Sequence, residues 1–496
     1  MKILVANRGE IALRIFRTCR ELGFPSVAVY SAADQDSLPA RYADQAVSIG
    51  DTPARESYLN AGHVLKAAVE SGVEAIHPGY GFLSENADFA QMVEDAGLIF
   101  IGPRPETLAL TGDKLAARRM ARQAGLPVLP GLDQAILETV TDAQLAKVNF
   151  PVLIKAVSGG GGRGIRLANN LAELEEMILA ARQEAKAAFG DDSVYFEPLV
   201  QQARHVEIQI LGDGHGRVLA LGERECSIQR RHQKLIEESP APSLSPTMRQ
   251  NLYQAAITLG KALNYRSLGT IEFLLNENGD FYFIEVNPRI QVEHPVTEMV
   301  TGVDLVSAQL RLAAGQPFKY TQKDIRPRGS AIEARVLAED PENGFLPSTG
   351  EITYLKEPGG PGVRVDSALY VGQEITADYD SLIAKVIVWT EERQTTIQRL
   401  QRALNEFQIG GIPTDIELLL QIIDSEHFNQ GSADTTYLET FQFTPNENEE
   451  TLEEDMALAA ALLAHQSLAH PQITQSHNIA SGWQSQAWKE QMRYNF

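Results

Sequence analysis

Only two cysteines, Cys19 and Cys226, occur in 496 residues. That excludes a disulfide framework and any metal site built on cysteine clusters. Basic residues are also scarce: 43 lysines and arginines against 65 aspartates and glutamates give a formal net charge of −22. So acidic a chain has no general affinity for nucleic acid or anionic lipid, and an anionic substrate must be captured by a local basic cluster. No apolar run is long enough to span a bilayer, and the strand-like Lys2-Ile-Leu-Val-Ala6 leaves no room for a leader peptide. The expected location is cytoplasmic, with neither nucleic acid nor membrane as partner. Internal repeats are absent too. What remains is an ordinary globular composition, 44% hydrophobic and 22% charged, on a chain too long for one core. Three or four domains are expected.

Residues 1–112 alternate short β-branched runs with amphipathic ones. Ile3–Ala6, Ser26–Tyr30, Val47–Ile49, Val73–Ile76 and Leu98–Ile101 read as strands, and Ile11, Ile15, Cys19 and Leu22 give an intervening helix its apolar stripe. The rhythm predicts an open, doubly wound parallel sheet, the N-terminal domain of a mixed α/β and α+β chain. Asn7-Arg8-Gly9-Glu10 and His77-Pro-Gly-Tyr-Gly81 fall at strand ends, where such sheets bind ligands. The first lacks the G-x-G-x-x-G of a dinucleotide site, and an ordinary tight connection explains either turn about as well.

Residues 113–330 form the next expected domain. Asp113 caps a helix at Lys114, and apolar strands over 151–157 and 165–167 flank Ser158-Gly-Gly-Gly-Gly-Arg-Gly164. The glycines at 159, 161 and 164 match G-x-G-x-x-G as letters. An extended run follows where a dinucleotide fold needs a helix, and no G-K-[ST] makes it a P-loop. A glycine loop between strands can instead fold over phosphates, here as a lid over about residues 130–200. Beyond it come an alanine-rich helix over 171–189, a strand over 194–200, a hairpin over 205–221 and a helix over 249–264. From 331 to 444, short strands and Pro/Gly turns around a helix near 391–407 predict an α+β domain. Residues 445–496 turn acidic, then read as an alanine/leucine helix, and end near Trp483 and Trp488; a linker helix or docking segment and a tail without fixed structure of its own explain them about equally well.

Two apolar runs flank Asn278-Gly279, and that dipeptide predicts a hairpin with a two-residue type I′ turn. Residues equidistant from the turn would then face each other, which sets Glu272 opposite Glu285, with Asn287 on the same face. Bare carboxylates opposed across a ladder repel. A divalent cation reverses that sign, and two carboxylates with an amide suit Mg²⁺ shared with phosphates. An exposed polar face is the plainer explanation of the hairpin taken alone. Downstream, an extended Pro288–Pro295 would project Arg289, Gln291 and Glu293 to one side and Ile290 and Val292 to the other. That makes a cradle for a small anion beside a base. Upstream, Arg224, Arg230, Arg231, His232 and Lys234 crowd into one short run, ordinarily a solvated face.

Ala6-Asn-Arg-Gly-Glu-Ile11, His77-Pro-Gly-Tyr-Gly-Phe-Leu-Ser-Glu-Asn86, Lys155 with its glycine loop, Ser227-Ile-Gln-Arg-Arg-His-Gln-Lys234 and Glu285-Val-Asn-Pro-Arg-Ile-Gln-Val-Glu-His-Pro295 together resemble the biotin carboxylases, which are ATP-grasp ligases. The resemblance runs from residue 1 to about 444 in the family's order; each motif is weak alone, and together they exceed chance. It implies an ATP-grasp domain and a biotin carboxylase C-terminal domain. Lys114, Lys155 and the lid glycines Gly159, Gly160, Gly161, Gly162 and Gly164 would bind ATP phosphates. Glu197 and the backbone near Val200 would hold adenine, with Gln229 and His232 towards the ribose and His205 nearby. Glu272, Glu285 and Asn287 would ligate Mg²⁺ or Mn²⁺, as a pair of ions. Lys234, Arg289, Gln291 and the Val292 amide would hold bicarbonate, and Glu293 would deprotonate it. Arg335 would stabilise the biotin enolate, with Tyr80 lining that site. One departure is Pro198 after Glu197, where some bacterial relatives carry lysine; proline keeps a carbonyl but offers adenine no N–H.

The implied chemistry needs these residue types. Bicarbonate carboxylates biotin only once ATP has activated it as carboxyphosphate, a phosphoryl transfer that runs on positioning and charge neutralisation. The ureido nitrogen must then lose a proton, and a guanidinium that keeps its charge stabilises the oxygen where negative charge develops. One rival is another bicarbonate-activating ATP-grasp ligase, of the carbamoyl-phosphate type. The other is a catalytically silent assembly subunit, which would have lost a metal carboxylate or the lid. No Ala-Met-Lys-Met biotinylation site is present, so biotin would arrive as a substrate on a biotin carboxyl carrier protein or domain. The resemblance further implies a carboxyltransferase subunit, a homodimer, and a place in an acetyl-CoA or other acyl-CoA carboxylase, as in fatty acid biosynthesis. Which acyl-CoA or keto acid receives the carboxyl group is not encoded in these residues.

Overall fold

The computed structural model describes residues 1–131, 136, 150–157, 165–445, 458, 461 and 462. The lid glycines at 159–164 and almost all of the tail lie outside the described residues. Five strands open the chain: β1 (Ile3–Val5), β2 (Ser26–Tyr30), β3 (Gln45–Ser48), β4 (Ala75–His77) and β5 (Ile99–Phe100). All pair in parallel, in the order β3-β2-β1-β4-β5, the doubly wound sheet that the alternating runs predict. Its central strands are covered on both faces. Ile3 and Val5 pack with Ile11, Ile15 and Phe16 of the helix Gly9–Glu21, and Leu4 and Ile76 pack with Val64 and Phe89.

A small antiparallel sheet follows, β7-β6-β8, built from β6 (Val152–Ala156), β7 (Arg166–Ala168) and β8 (Val194–Pro198). The helix Leu171–Phe189 lays Leu174, Ile178 and Ala181 on its Val152, Ile154 and Phe196. The largest sheet has eight antiparallel strands. Its order is β13 (Phe281–Asn287), β12 (Arg266–Leu275), β9 (Arg204–Asp213), β10 (Val218–Arg230), β11 (Gln233–Ser239), β14 (Ser330–Leu337), then Leu382–Thr390 and Val363–Ser367. It runs unbroken across residue 330, so the α+β region after that point shares its sheet with the region before it. Helices Arg393–Glu406 and Ile416–Asp424 bury Ile397, Leu400, Leu419 and Ile422 against the later half. Among the described residues no helix is long and apolar enough to cross a membrane.

Two β-bulges decide which side chains reach which face of this sheet. β9 and β12 alternate regularly. Val206, Ile208, Ile210, Ile271 and Phe273 enter a core shared with the helices Lys114–Gln123 and Pro246–Ala262, while Glu207, Gln209, Thr270 and Glu272 face the other way. In β10, Ala220 pairs with Ile210 but Glu223 with Ile208, one residue too many. Gly222, at φ +111°, lies in that step. Arg224 thereby joins the face of Glu207 rather than the helix-covered face that strict alternation from Ala220 would give it. In β13, Glu285 pairs with Glu272 yet Phe283 with Phe273, leaving Ile284 as the extra residue. Phe283 and Val286, three apart, both enter the core, and Glu285 and Asn287 take the polar side.

The hairpin departs from expectation in its turn. The loop is Glu277-Asn278-Gly279, three residues rather than two, closed by a 3.0 Å bond from the Asn276 N–H to the Asp280 carbonyl, with a 3.1 Å turn bond inside it from the Gly279 N–H to the Asn276 carbonyl. Within it only Gly279 is left-handed, at φ +82°. The bulge at Ile284 cancels the resulting offset, so Glu272 still meets Glu285, for a reason the dipeptide does not contain. A two-residue turn occurs instead at Arg231-His232, between paired Arg230 and Gln233, with φ of +50° and +66°. Neither residue is glycine or asparagine, so the backbone there is strained.

Candidate active site

Lys234 occupies the middle of the polar face. β11 carries it in from the strained turn, and its Nζ lies 2.6 Å from Glu207 Oε2, 3.0 Å from Glu272 Oε1 and 2.7 Å from Glu293 Oε1. Burial alone would lower the pKa of this ammonium; the three carboxylates raise it well above the usual lysine range. In return Glu272 and Glu293, which burial would raise, are held below ordinary carboxylate values, Glu272 well below. Glu207, which also faces Arg224, falls to about 2. Gln229 Nε2 lies 2.6 Å from His205 Nδ1, and His205 Nε2 lies 3.0 Å from Glu272 Oε2, close enough for an ion pair though not aligned as a hydrogen bond. Burial lowers the His205 pKa, but Glu272 more than reverses that and leaves it raised.

The segment after β13 is not the extended strand expected. It turns through Val292 and Glu293 into the helix His294–Thr301, and that turn gathers the cradle side chains. Arg289 donates to Asn287 Oδ1 at 3.1 Å and to Glu85. Gln291 Nε2 donates to Glu272 Oε1 at 3.2 Å. Glu293 accepts from Lys234 on one oxygen and from Arg335 Nη2, at 2.9 Å, on the other. Arg335 Nε also donates to Glu237 Oε1 at 2.6 Å. Behind them Lys385, fully buried, donates to the Val292 carbonyl at 2.9 Å and lies 3.0 Å from Glu10, which also accepts from the Tyr80 hydroxyl. The basic run is not a solvated face throughout: Arg224 is fully buried, Lys234 is held in the site and Arg230 pairs with Glu339, leaving Arg231 and His232 exposed.

On the small sheet, Lys155 and Glu197 form a buried ion pair, and Arg118 Nη1 joins Glu197 Oε2 at 2.7 Å. The Glu197 side chain is therefore committed to two cations, and what Glu197 can offer a base is its backbone. Lys114 opens the helix Lys114–Gln123, whose cap Asp113 accepts from Ala116 N at 2.9 Å. Val200 lies two residues past the end of β8 and is half-buried. Sequence reasoning missed Arg118 and Lys385 and took Arg224 for part of a solvated run, because an arginine or lysine in a helix or strand carries no local mark of its partner.

Glu272 and Glu285 are opposed across β12 and β13, and their pKa values are driven apart. Burial and then Glu272 push the Glu285 carboxyl up, and among the described residues Glu285 has no hydrogen bond or ion pair. With the Asn287 amide 2.9 Å from Glu272, this is a hard-oxygen set that fits Mg²⁺. Two other groupings, His205–Glu207–Glu272 and Glu207–Cys226–Glu293, bring their ligand atoms within 4.8 Å of one another, but the Lys234 ammonium already supplies positive charge there. Removing the opposed charge in Glu285→Gln should raise the melting temperature of the ligand-free protein by about 1 °C. It should also remove most of the extra stabilisation conferred by Mg²⁺ with ADP. Calorimetry that shows an undiminished response to Mg²⁺ would take Glu285 out of the metal set.

Glu237 and Glu333 face each other across β11 and β14, both fully buried. Burial pushes the Glu237 carboxyl up to about 7 against the pull of Arg335, with Glu293 adding to the rise. Glu333, whose two oxygens lack hydrogen-bond partners, is also raised well above its usual range. The folded protein thus keeps on Glu237 a proton that the unfolded chain releases near 4.5, and this stabilisation is lost as pH rises from 4.5 through 7. Glu237→Gln cannot show that loss. Its stability relative to the wild type should climb by on the order of 3 kcal/mol across the window. Urea unfolding at several pH values would detect it, and a flat difference would refute the shift.

A polar-faced antiparallel sheet with a second, small antiparallel sheet fits one class, the ATP-grasp ligases, and the model of the carbamoyl-phosphate synthase L chain ATP-binding domain matches residues 113–321. The models of the biotin carboxylase N-terminal and C-terminal domains match residues 1–108 and 333–440. A biotin carboxylase of Nostoc sp. is 50% identical over 440 residues, covering 88% of this chain and 98% of that protein. Among solved structures, the biotin carboxylase–βγ-ATP complex of Campylobacter jejuni matches with a TM-score of 0.86 at 44% identity, covering 89% of this chain and 98% of that one. The biotin carboxylase domain dimer of the Hydrogenobacter thermophilus 2-oxoglutarate carboxylase, in complex with MgADP, ADP and bicarbonate, matches at 0.87 and 46%, covering 90% and 99%. The chain belongs to the biotin carboxylase family.

Proposed function

We propose that the chain carboxylates biotin with bicarbonate at the expense of ATP, through carboxyphosphate, as the first half-reaction of a biotin-dependent carboxylase. The observation that carries this reading is Glu293 held between Lys234 and Arg335. One carboxylate borders both an anion cradle and a guanidinium suited to an enolate. The ATP, MgADP and bicarbonate bound by the two relatives support the same division of labour.

Lys114, Lys155 and the glycine lid would meet the ATP phosphates, for which Lys155 leaves Glu197. The backbone from Glu197 to Val200 would hold adenine, with Gln229 and His232 towards the ribose and His205 close by. Mg²⁺ or Mn²⁺ fits Glu272, Glu285 and Asn287, and would supply neutralisation of phosphate charge. Lys234, Arg289, the Gln291 amide and the Val292 N–H present donors to bicarbonate. Glu293 takes its proton, the freed oxygen attacks the γ-phosphorus, and ADP leaves. The lid keeps water from the mixed anhydride. Carboxyphosphate then splits into CO₂ and phosphate beside biotin; the phosphate takes the proton of the ureido N–H, and the nitrogen attacks the CO₂. Arg335 stabilises the charge that develops on the ureido oxygen, and Tyr80, fixed by Glu10, lines the site.

Biotin would arrive on a carrier protein or domain and leave for a carboxyltransferase, and the relative's dimer supports a homodimer here. The test is ADP release from MgATP, which should require bicarbonate and rise on addition of free biotin. Stimulation by ammonia in place of biotin would favour the carbamoyl-phosphate type, and no release under any condition would favour a silent subunit.

A further inference from the structure

The scheme above leaves Arg224 without a role. It is nonetheless fully buried, and all five guanidinium N–H groups find acceptors. Nε donates to Glu207. Nη1 donates to Gln209 Oε1 at 2.7 Å and Thr297 Oγ1 at 3.0 Å, and Nη2 to Thr270 Oγ1 at 3.1 Å and Gln291 Oε1 at 2.6 Å. These acceptors come from β9, from β12, from the cradle and from the helix His294–Thr301. The bulge at Gly222 turns Arg224 towards them.

A glutamine amide accepts at one end and donates at the other, and the two ends have nearly the same shape. A guanidinium can only donate. With Arg224 on Oε1, Gln291 has to turn its NH₂ the other way, towards Glu272 and the cradle. Gln209 follows the same logic, with Oε1 on Arg224 and Nε2 on the Gly269 carbonyl at 2.9 Å. Glu207 is divided between Arg224 on one oxygen and Lys234 on the other, which draws the ammonium to the cradle side. We propose that Arg224 is a positioning residue for bicarbonate: it locks Gln291 in the orientation that donates to an anion. Lysine cannot replace it, having three N–H groups and no planar fork. The assignment rests on Arg289–Glu293 being the bicarbonate cradle.

The test compares the full-length wild type with Arg224→Lys in bicarbonate-dependent ATP cleavage. The bicarbonate KM should rise roughly tenfold or more, the worth of one hydrogen bond to a charged group, while the ATP KM stays within about twofold. A merely structural role would raise both together, and that result, or an unchanged bicarbonate KM, overturns the proposal. Thr297→Val frees one Nη1 hydrogen without touching the cradle and guards against a lysine variant that does not fold. It carries the same prediction at about threefold, again confined to bicarbonate. A wild type without bicarbonate-dependent cleavage overturns the cradle as well, whereas unchanged KM values in both variants of an active enzyme overturn Arg224 alone.

Discussion

Replacing Glu293 with glutamine should cut bicarbonate-dependent ATP cleavage by about 10²–10⁴-fold, the usual worth of a positioned general base. Burial opposes the charge on Glu293, but Lys234 and Arg335 outweigh it and keep the carboxyl below its ordinary value of 4.5. The base is therefore free of its proton at neutral pH. A carboxylate so held is weakly basic while both cations sit on it. Bicarbonate entering the cradle offers Lys234 a second anion to share, which loosens that hold and strengthens the base when its substrate is present. Glutamine keeps the length of the side chain, and Lys234 retains Glu207 and Glu272, so the melting temperature and the ATP KM should change little. Because the pKa is lowered in the free enzyme, kcat/KM for bicarbonate should show no acid limb from Glu293 above 4.5. Initial rates of ADP release with and without bicarbonate decide the matter. A glutamine variant within tenfold of the wild type would remove Glu293 as the base.

Much of the fold is legible in the chain, for identifiable reasons. The inner strands of the first sheet are continuous apolar runs because they are covered on both faces. The helix Leu171–Phe189 is bounded by an Asn170 cap and a left-handed Gly190 at φ +78°. The site is legible as motifs and much less so as geometry. Strict alternation misplaces Arg224, because the bulge at Gly222 changes its face, and it explains the Glu272–Glu285 pairing only through two offsets that cancel. A turn dipeptide reports local backbone preference; a bulge answers to the packing of Phe283 and Val286 against helices far along the chain. Long-range partners are hidden for the same reason. Arg118 reaches Glu197 across 79 residues and Lys385 reaches the Val292 carbonyl across 93, distances over which periodicity carries no signal.

Arg335→Ala should separate two rates that a simple loss of folding would lower together. Biotin carboxylation should fall about 10²–10³-fold, the cost of removing a preorganised donor from a developing oxyanion. Bicarbonate-dependent ATP cleavage should fall by less than about tenfold, because Glu293 keeps Lys234 on its other oxygen when Arg335 is gone. Stability will suffer, since Glu237 loses its charge partner within a buried carboxyl pair. That cost is limited at or below neutral pH: Glu237 already titrates at about 7 with the guanidinium present, so it will take up a proton once the guanidinium is removed. The ratio of the two rates, measured on the same preparation, does not depend on the fraction folded. Arg335→Lys should fall between alanine and the wild type, because it returns the charge without the planar fork that spans Glu237 and Glu293. Equal loss of both rates in the alanine variant would mean that Arg335 serves only to orient Glu293, and the enolate would need another cation.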